Sequence, residues 1–461
     1  MTTAWSSSVL PNSPTQRCLD RFSILEDQEG EDGLVEFWPL LQEILKQKVT
    51  ESSQLLDVLD TISNIVQGDS GHAGDYGSLI AVVEQNRDVF FSRLWPSIVR
   101  IALKLPEFFP TGTIPILRPG GKLCLSVDEA ACLVAHQFLC TLQPPNWRDS
   151  FYDFSIWYAS DQRHPKAAQM YLTALFSYFE RFSETDIESE NSRSIHGGGV
   201  EFSLCAFNEP RLFTPAHLEM IPVTPLKVLD VGTFSTEQQE LCYQGLGGGV
   251  VVAANKDIGF GQSATQEELY VGNCPEACPA VLFTPTLEHA HVLVIRGASP
   301  MLRISGQRRD ISWEVLPPEA RRGGRMLLMD ALEIDRAEDG ELLPDLKPEN
   351  MAREMKKAYT AFSSWSSDEG QVVWSGLWGC GAFNGDPGVK VVLMWIAASL
   401  AGKELRIICD SSQGSASTQI SRLVDGVPSV WKVKHLVDLA NAMPKNTERL
   451  QNDGLATGQS T

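Results

Sequence analysis

Val250-Val251-Val252-Ala253-Ala254-Asn255-Lys256-Asp257-Ile258-Gly259-Phe260-Gly261-Gln262-Ser263-Ala264-Thr265-Gln266-Glu267-Glu268 is the stretch on which the reading of this chain turns. It opens on an uninterrupted apolar run, the pattern of a buried strand. Gly259 and Gly261 follow. Without a Cβ, backbone there can approach a ligand closely, and its N–H groups can cradle an anion such as phosphate. Glu267 and Glu268 come next, and a carboxylate beside a bound ligand can give and take protons. A buried strand, a glycine turn and an acidic pair together have the makings of an active site.

Further short apolar runs at 226–231, 292–296, 372–374 and 405–409 read as strands, with helical patterns between them at 348–362 and 388–400. Strands alternating with helices predict an α/β layered domain, which we bound at 195–446. Residues 336–349 are acidic and proline-bearing and read as a surface excursion. Upstream, 34–185 reads as all-helical. Leu41, Ile44 and Leu45 recur at helical spacing, as do Leu55, Leu56, Leu59, Ile62 and Val66. A helix over 89–105 is expected to kink at Pro96, and Ser126 with Glu129 forms a capping box for the helix that follows. The stripe Tyr171, Leu175, Tyr178, Phe179 and Phe182 reads as core. Residues 1–33, with Glu26, Asp27, Glu29, Glu31 and Asp32, read as a loose acidic arm, 183–194 as a linker and 447–461 as a disordered tail.

The 461 residues, 43% hydrophobic and 21% charged, suit two or three domains around a large core. No apolar run reaches the ~18 residues of a membrane helix, and 1–8 is polar without an apolar signal core. No membrane partner is therefore expected, and the nucleus or cytoplasm is the expected compartment. The net charge of −20 argues against a broad basic face for nucleic acid, and no direct sequence-specific nucleic-acid partner is expected. An anionic ligand would have to be held by local backbone N–H groups. The ten cysteines are scattered. Cys274 and Cys278 are close together but lack a second ligand pair, so no metal is expected.

Two glycine-rich stretches invite comparison with the first. In 245–249 the glycines precede a strand instead of opening a helix, which favours a tight turn over a dinucleotide site. In Gly376-Leu377-Trp378-Gly379-Cys380-Gly381-Ala382-Phe383-Asn384-Gly385-Asp386 they follow a strand and lead into a helix. That arrangement suits either a phosphate cradle or a structural loop that tucks Trp378 and Phe383 into the core. Two such loops suggest a ligand carrying a diphosphate. Adjacent carboxylates diverge by about 100° on a helix, so Glu267 and Glu268 cannot flank one glycosidic bond as a matched pair does. One is better cast as general acid and the other as a hydroxyl binder.

Residues 252–270 and 374–386 resemble the two signature loops of the poly(ADP-ribose) glycohydrolases: a glycine triplet, a short spacer and Gln-Glu-Glu, then Gly-x-Trp-Gly-Cys-Gly-Ala-Phe-x-Gly-Asp. Residues 102–110 and 130–135 resemble that family's helical accessory domain, and the likeness runs from about Asp88 to Asp410. The resemblance implies a macrodomain fold, a mixed sheet between helices, preceded by the helical domain. It implies ADP-ribose binding and hydrolysis of the ribose–ribose bonds of poly(ADP-ribose), including polymer on poly(ADP-ribosyl)ated proteins, with no cofactor. By position, Glu268 would be the acid, kept protonated by burial, and Glu267 and Asn255 would bind ribose hydroxyls. Gly259, Gly261, Gly379, Cys380, Gly381, Ala382 and Phe383 would line the diphosphate, with Gln266 and Phe234 near the adenosine. The chain departs from the family at several points. Phe260 stands at the middle glycine, and the spacer 262–265 is shorter. Val252, Ser235 and Leu377 replace an acid, a Glu and an Asn, and Gln307 stands where a tyrosine covers the ligand. A non-catalytic ADP-ribose reader and a mono-ADP-ribosyl-protein hydrolase are the alternatives.

Overall fold

The computed structural model describes residues 7–25, 30, 32–68, 76–148, 152–158, 162, 164–183, 199–233, 245–306, 310–334 and 343–443. In chain order the strands are β1 Ser7–Val9, β2 Arg17–Cys18, β3 Val35–Glu36, β4 Thr113–Pro115, β5 Lys122–Leu125, β6 Val200–Ala206 and β7 Leu226–Asp230. They continue with β8 Gly248–Ala254, β9 His291–Arg296, β10 Leu302–Ser305, β11 Ser312–Val315, β12 Arg325–Asp330, β13 Val372–Ser375 and β14 Glu404–Cys409. Eight of them form one mixed sheet in the order β5-β6-β9-β12-β8-β13-β14-β7. β12, β8, β13, β14 and β7 run parallel, and β5, β6 and β9 complete the sheet with antiparallel pairings.

The apolar run that opens the decisive stretch is β8, near the centre of the sheet. Side chains alternate across a strand, and here both faces are covered. Val250, Val252 and Ala254 join the core built largely by the helical half, while Val251 joins a second core with Val391, Ala358 and Phe362 from helices Pro387–Leu400 and Pro348–Phe362. A strand buried on both sides has no room for a polar alternation, so the sequence reads as continuous valine. The fold class expected from the sequence, a mixed sheet between helices with a helical domain before it, is the one observed.

The helical half is less separate than 34–185 suggested. It contains β4 and β5, and β5 pairs with β6 at the edge of the main sheet. Alternation in Lys122-Leu123-Cys124-Leu125 is too short to stand out. The reading of 1–33 as a loose arm is corrected for its described part. β1 pairs with β4, β2 pairs with β3, and Leu10 and Leu25 are buried. The acidic residues Glu26, Asp27, Glu29 and Glu31 lie outside the described residues. The capping box is present: Ser126 N–H donates to Glu129 Oε2 at 2.7 Å and Glu129 N–H to Ser126 Oγ at 3.2 Å, opening helix Val127–Phe138. Before Pro96, where a kink is expected, the chain runs through a π-helical turn, Phe90–Leu94, that hands over to helix Trp95–Ala102. A wider turn accommodates a residue that cannot donate to the α-helical ladder.

In 245–249 the glycines form the turn into β8. Gly248 lies so close to β13 that a methyl group on it would overlap the carbonyl of Val372. Gly248→Ala is therefore expected to cost about 2 kcal/mol or more of stability in chemical denaturation, as overpacking against backbone does. Gly414→Ala, in open space at the start of helix Gly414–Asp425, should be neutral or stabilise by up to ~1 kcal/mol in the same assay.

Candidate active site

β8 and β13 are adjacent parallel strands, and each runs directly into one of the two glycine-bearing loops at its carboxyl end. Ligands of open α/β sheets bind outside the carboxyl ends of strands. On its β13 side the β8 ladder stops at Val250 opposite Trp374, whereas on its β12 side it continues to Ala254 opposite Asp330. Gln266 takes over the vacated β13 side. Its Oε1 accepts from Ala253 N–H at 2.9 Å and its Nε2 donates to Val251 C=O at 3.2 Å. The amide expected near the adenosine thus acts as a surrogate strand, keeping β8 and β13 apart where the loops begin.

Helix Gln266–Asn273 starts at the N-cap Thr265. Thr265 and Glu268 form a capping box: Glu268 Oε2 accepts from Thr265 N–H at 3.0 Å, and Glu268 N–H donates to Thr265 Oγ1 at 3.4 Å. The same Oε2 takes Ser263 N–H at 2.7 Å. Oε1 has no hydrogen-bond partner among the described residues and lies against Gly261, where a methyl group would collide with it. Glu267, one residue earlier and so about 100° around the helix, reaches the loop itself. Its Oε2 accepts from Asn255 N–H at 2.8 Å and its Oε1 from Gly259 N–H at 2.9 Å.

The burial expected of Glu268 falls instead on Glu267. Glu267 is buried and Glu268 half-buried, because the cap holds the second carboxylate at the helix surface. Desolvation pushes the Glu267 carboxyl up to about 8, although the two amides it accepts from and the Arg148 guanidinium act in the opposite sense. Arg148 is a residue that the sequence did not disclose. Asn255 is exposed, and its Oδ1 accepts from Asp257 N–H at 3.0 Å, closing an Asx turn. Phe260, in place of the family's middle glycine, is buried against Phe154 and Trp157 of the helical half.

In the second loop both readings of the sequence are realised at different positions. Trp378 is buried and its Nε1 donates to Met329 C=O at 2.9 Å. Gly379 and Cys380 are buried with it, whereas Gly381 and Ala382 are exposed and Phe383 half-buried. Asp386 caps helix Pro387–Leu400 through Val389 N–H at 3.0 Å. Beneath lies a buried ionic network: Lys390 contacts Glu354 and Asp345, and Arg353 bridges Glu354 to Asp330, which also meets Lys357. Among the described residues, the amides of Phe260, Gly261, Gly381, Ala382 and Phe383 have no protein acceptor. Unused amides at two adjacent loops can receive an anion without any basic patch. Phe234, Ser235 and Gln307 lie outside the described residues. Also among the described residues, no group of three or more His, Cys, Asp or Glu side chains is placed to hold a metal, and no helix is long and apolar enough to cross a membrane.

A macrodomain sheet with a helical half wrapped over one face, and two loops at the ends of adjacent strands, define the class. Residues 222–416 match the macrodomain-fold model of poly(ADP-ribose) glycohydrolase, and 82–203 match its helical-domain model. With both domains in order over more than half of its length, the chain belongs to the poly(ADP-ribose) glycohydrolase family. Poly(ADP-ribose) glycohydrolase 1 of Caenorhabditis elegans is 25% identical over 349 residues, covering 71% of this chain and 41% of the relative. Poly(ADP-ribose) glycohydrolase 2 of the same organism is 28% identical over 223 residues, 44% of each chain. The chain thus spans less than half the length of these relatives. A poly(ADP-ribose) glycohydrolase of Deinococcus radiodurans, solved in complex with ADP-ribose, aligns at 17% identity and a TM-score of 0.33, covering 49% of this chain and 94% of that one.

The raised Glu267 carboxyl has a consequence for stability. Below its ordinary value of 4.5 it is neutral in both folded and unfolded chains; between 4.5 and about 8 only the unfolded chain ionises. The wild type should therefore lose stability as pH rises through this window. Glu267→Gln lacks that titration. Its melting temperature, whatever its offset, should fall less than that of the wild type between about pH 5 and about pH 8 in thermal unfolding scans.

Proposed function

We propose that this chain hydrolyses the ribose–ribose O-glycosidic bonds of poly(ADP-ribose) and releases ADP-ribose. The observation that carries this reading is Glu268 Oε1, without a hydrogen-bond partner among the described residues, standing against Gly261 of the first loop, beside a second loop whose Gly381, Ala382 and Phe383 amides are unused among those residues. The loop amides hold the diphosphate. Glu267 and Asn255 hold ribose hydroxyls through the acceptor and donor capacity that their loop contacts leave over. Glu268 donates its proton to the departing ribose oxygen as the anomeric C–O bond breaks. The oxocarbenium-like carbon is stabilised by the adjacent diphosphate. Water then attacks that carbon and returns a proton to Glu268, which closes the cycle. Substrates in this reading are free polymer and poly(ADP-ribosyl)ated proteins in the nucleus or cytoplasm, including those modified in the response to DNA damage.

Purified protein incubated with poly(ADP-ribose) should release ADP-ribose, and Glu268→Gln should lower the rate at least ~100-fold, the scale of one acid–base group, while still binding ADP-ribose. Tight ADP-ribose binding by the wild type without turnover would instead identify a reader. Turnover confined to singly modified protein would identify a mono-ADP-ribosyl hydrolase.

A further inference from the structure

The segment 258–261 is held from beneath mainly by the helical half, with Val281 also behind Gly259. Arg148, in the loop that follows helix Val127–Phe138, is buried, and its Nη2 donates to Ile258 C=O. A Cβ on Gly259 would stand 2.8 Å from Arg148 Nη1, so the guanidinium lies directly behind that residue. The Phe260 ring packs 5.1 Å from Phe154 and 5.4 Å from Trp157. Trp157 Nε1 donates to Gly261 C=O at 2.9 Å. Phe154 and Trp157 stack at 4.4 Å, so the platform is itself rigid.

These contacts act on peptide orientation. In a trans peptide the C=O and the following N–H point in opposite directions within one plane, and the described residues contain no cis bond. Pinning Ile258 C=O to Arg148 therefore aims the N–H of Gly259 the opposite way, and that N–H meets Glu267 at 2.9 Å. Pinning Gly261 C=O to Trp157 likewise turns the N–H of Gln262 away from the helical half. That amide has no acceptor among the described residues. Arg148 also puts a buried positive charge behind the loop, in a chain of net charge −20 whose second loop, 376–386, contains no Lys or Arg.

We infer that Arg148 and Trp157 are positioning residues for the reaction. They orient the peptide planes on either side of Phe260, so that Gly259 engages Glu267 and Gln262 offers its N–H to the diphosphate. The helical half is then part of the active site, and Phe260 is the anchor that keeps the loop on its platform. This inference rests on the ADP-ribose reading given above.

The test uses the full chain and measures ADP-ribose affinity by calorimetry, kcat and KM on poly(ADP-ribose), and Tm. The wild type comes first: if it neither binds nor turns over, the ADP-ribose reading fails, independently of the positioning role. Given an active wild type, Arg148→Met should lower kcat/KM by about 10- to 100-fold, the scale of a charge-assisted hydrogen bond, and Arg148→Lys should restore a large part of it. Trp157→Phe, which keeps the ring packing and removes only the N–H, should weaken ADP-ribose binding about fivefold, the scale of one neutral hydrogen bond. Should Arg148→Met fail to fold, Trp157→Phe decides. Variants that lower Tm but bind and turn over like the wild type would overturn the proposal.

Discussion

The buried carboxylate of Glu267 accepts the amides of Asn255 and Gly259, and the shape of the site follows from that pair of bonds. They close the chain leaving β8 into a tight loop against the first turn of helix Gln266–Asn273. With the loop closed, Gly261 comes to lie against Glu268 Oε1, and the amides of Phe260 and Gly261 are left without acceptors among the described residues. Burying a carboxylate is costly unless it is hydrogen-bonded, and desolvation outweighs the two amides and the Arg148 guanidinium, leaving the Glu267 carboxyl raised. The helical half supports the loop from behind, with Arg148 bonded to Ile258 and the Phe154–Trp157 platform under Phe260.

Division of labour within the acidic pair follows from helix geometry. Successive residues at a helix N-terminus point about 100° apart, so one carboxylate faces the loop and the other the cap. Glu267 has both oxygens committed to amides, while Glu268 commits one oxygen twice and leaves the other without a partner among the described residues. Glu268 is therefore the better placed to exchange a proton with a substrate. Under the proposed reading, a chain of net charge −20 accepts a diphosphate here because the donors are backbone amides, set by local geometry.

Much of this was legible in the sequence because it depends on local rules. The valine run announced β8, Ser126 and Glu129 announced a helix start, and helix Pro348–Phe362 was read to its ends. Thr265-Gln266-Glu267-Glu268 also carries a capping-box pattern, which would have separated the two glutamates in advance. What the sequence did not disclose depends on distant pairing. β5 joins the sheet from within a helical segment, and Gln266 replaces a strand's ladder only because β13 diverges from β8. Arg148 has no motif around it; its role comes from meeting Ile258, 110 residues away. Strand β12 escaped because Arg325-Met326-Leu327-Leu328-Met329-Asp330 lacks the β-branched residues that mark a strand.

The most direct test of the account is a crystal structure of Glu268→Gln with ADP-ribose bound. Diphosphate oxygens are expected within hydrogen-bond distance of the amides of Gly261, Gln262, Gly381 and Ala382, with the distal ribose against residue 268. A diphosphate held elsewhere, or a ribose beyond reach of residue 268, would contradict it.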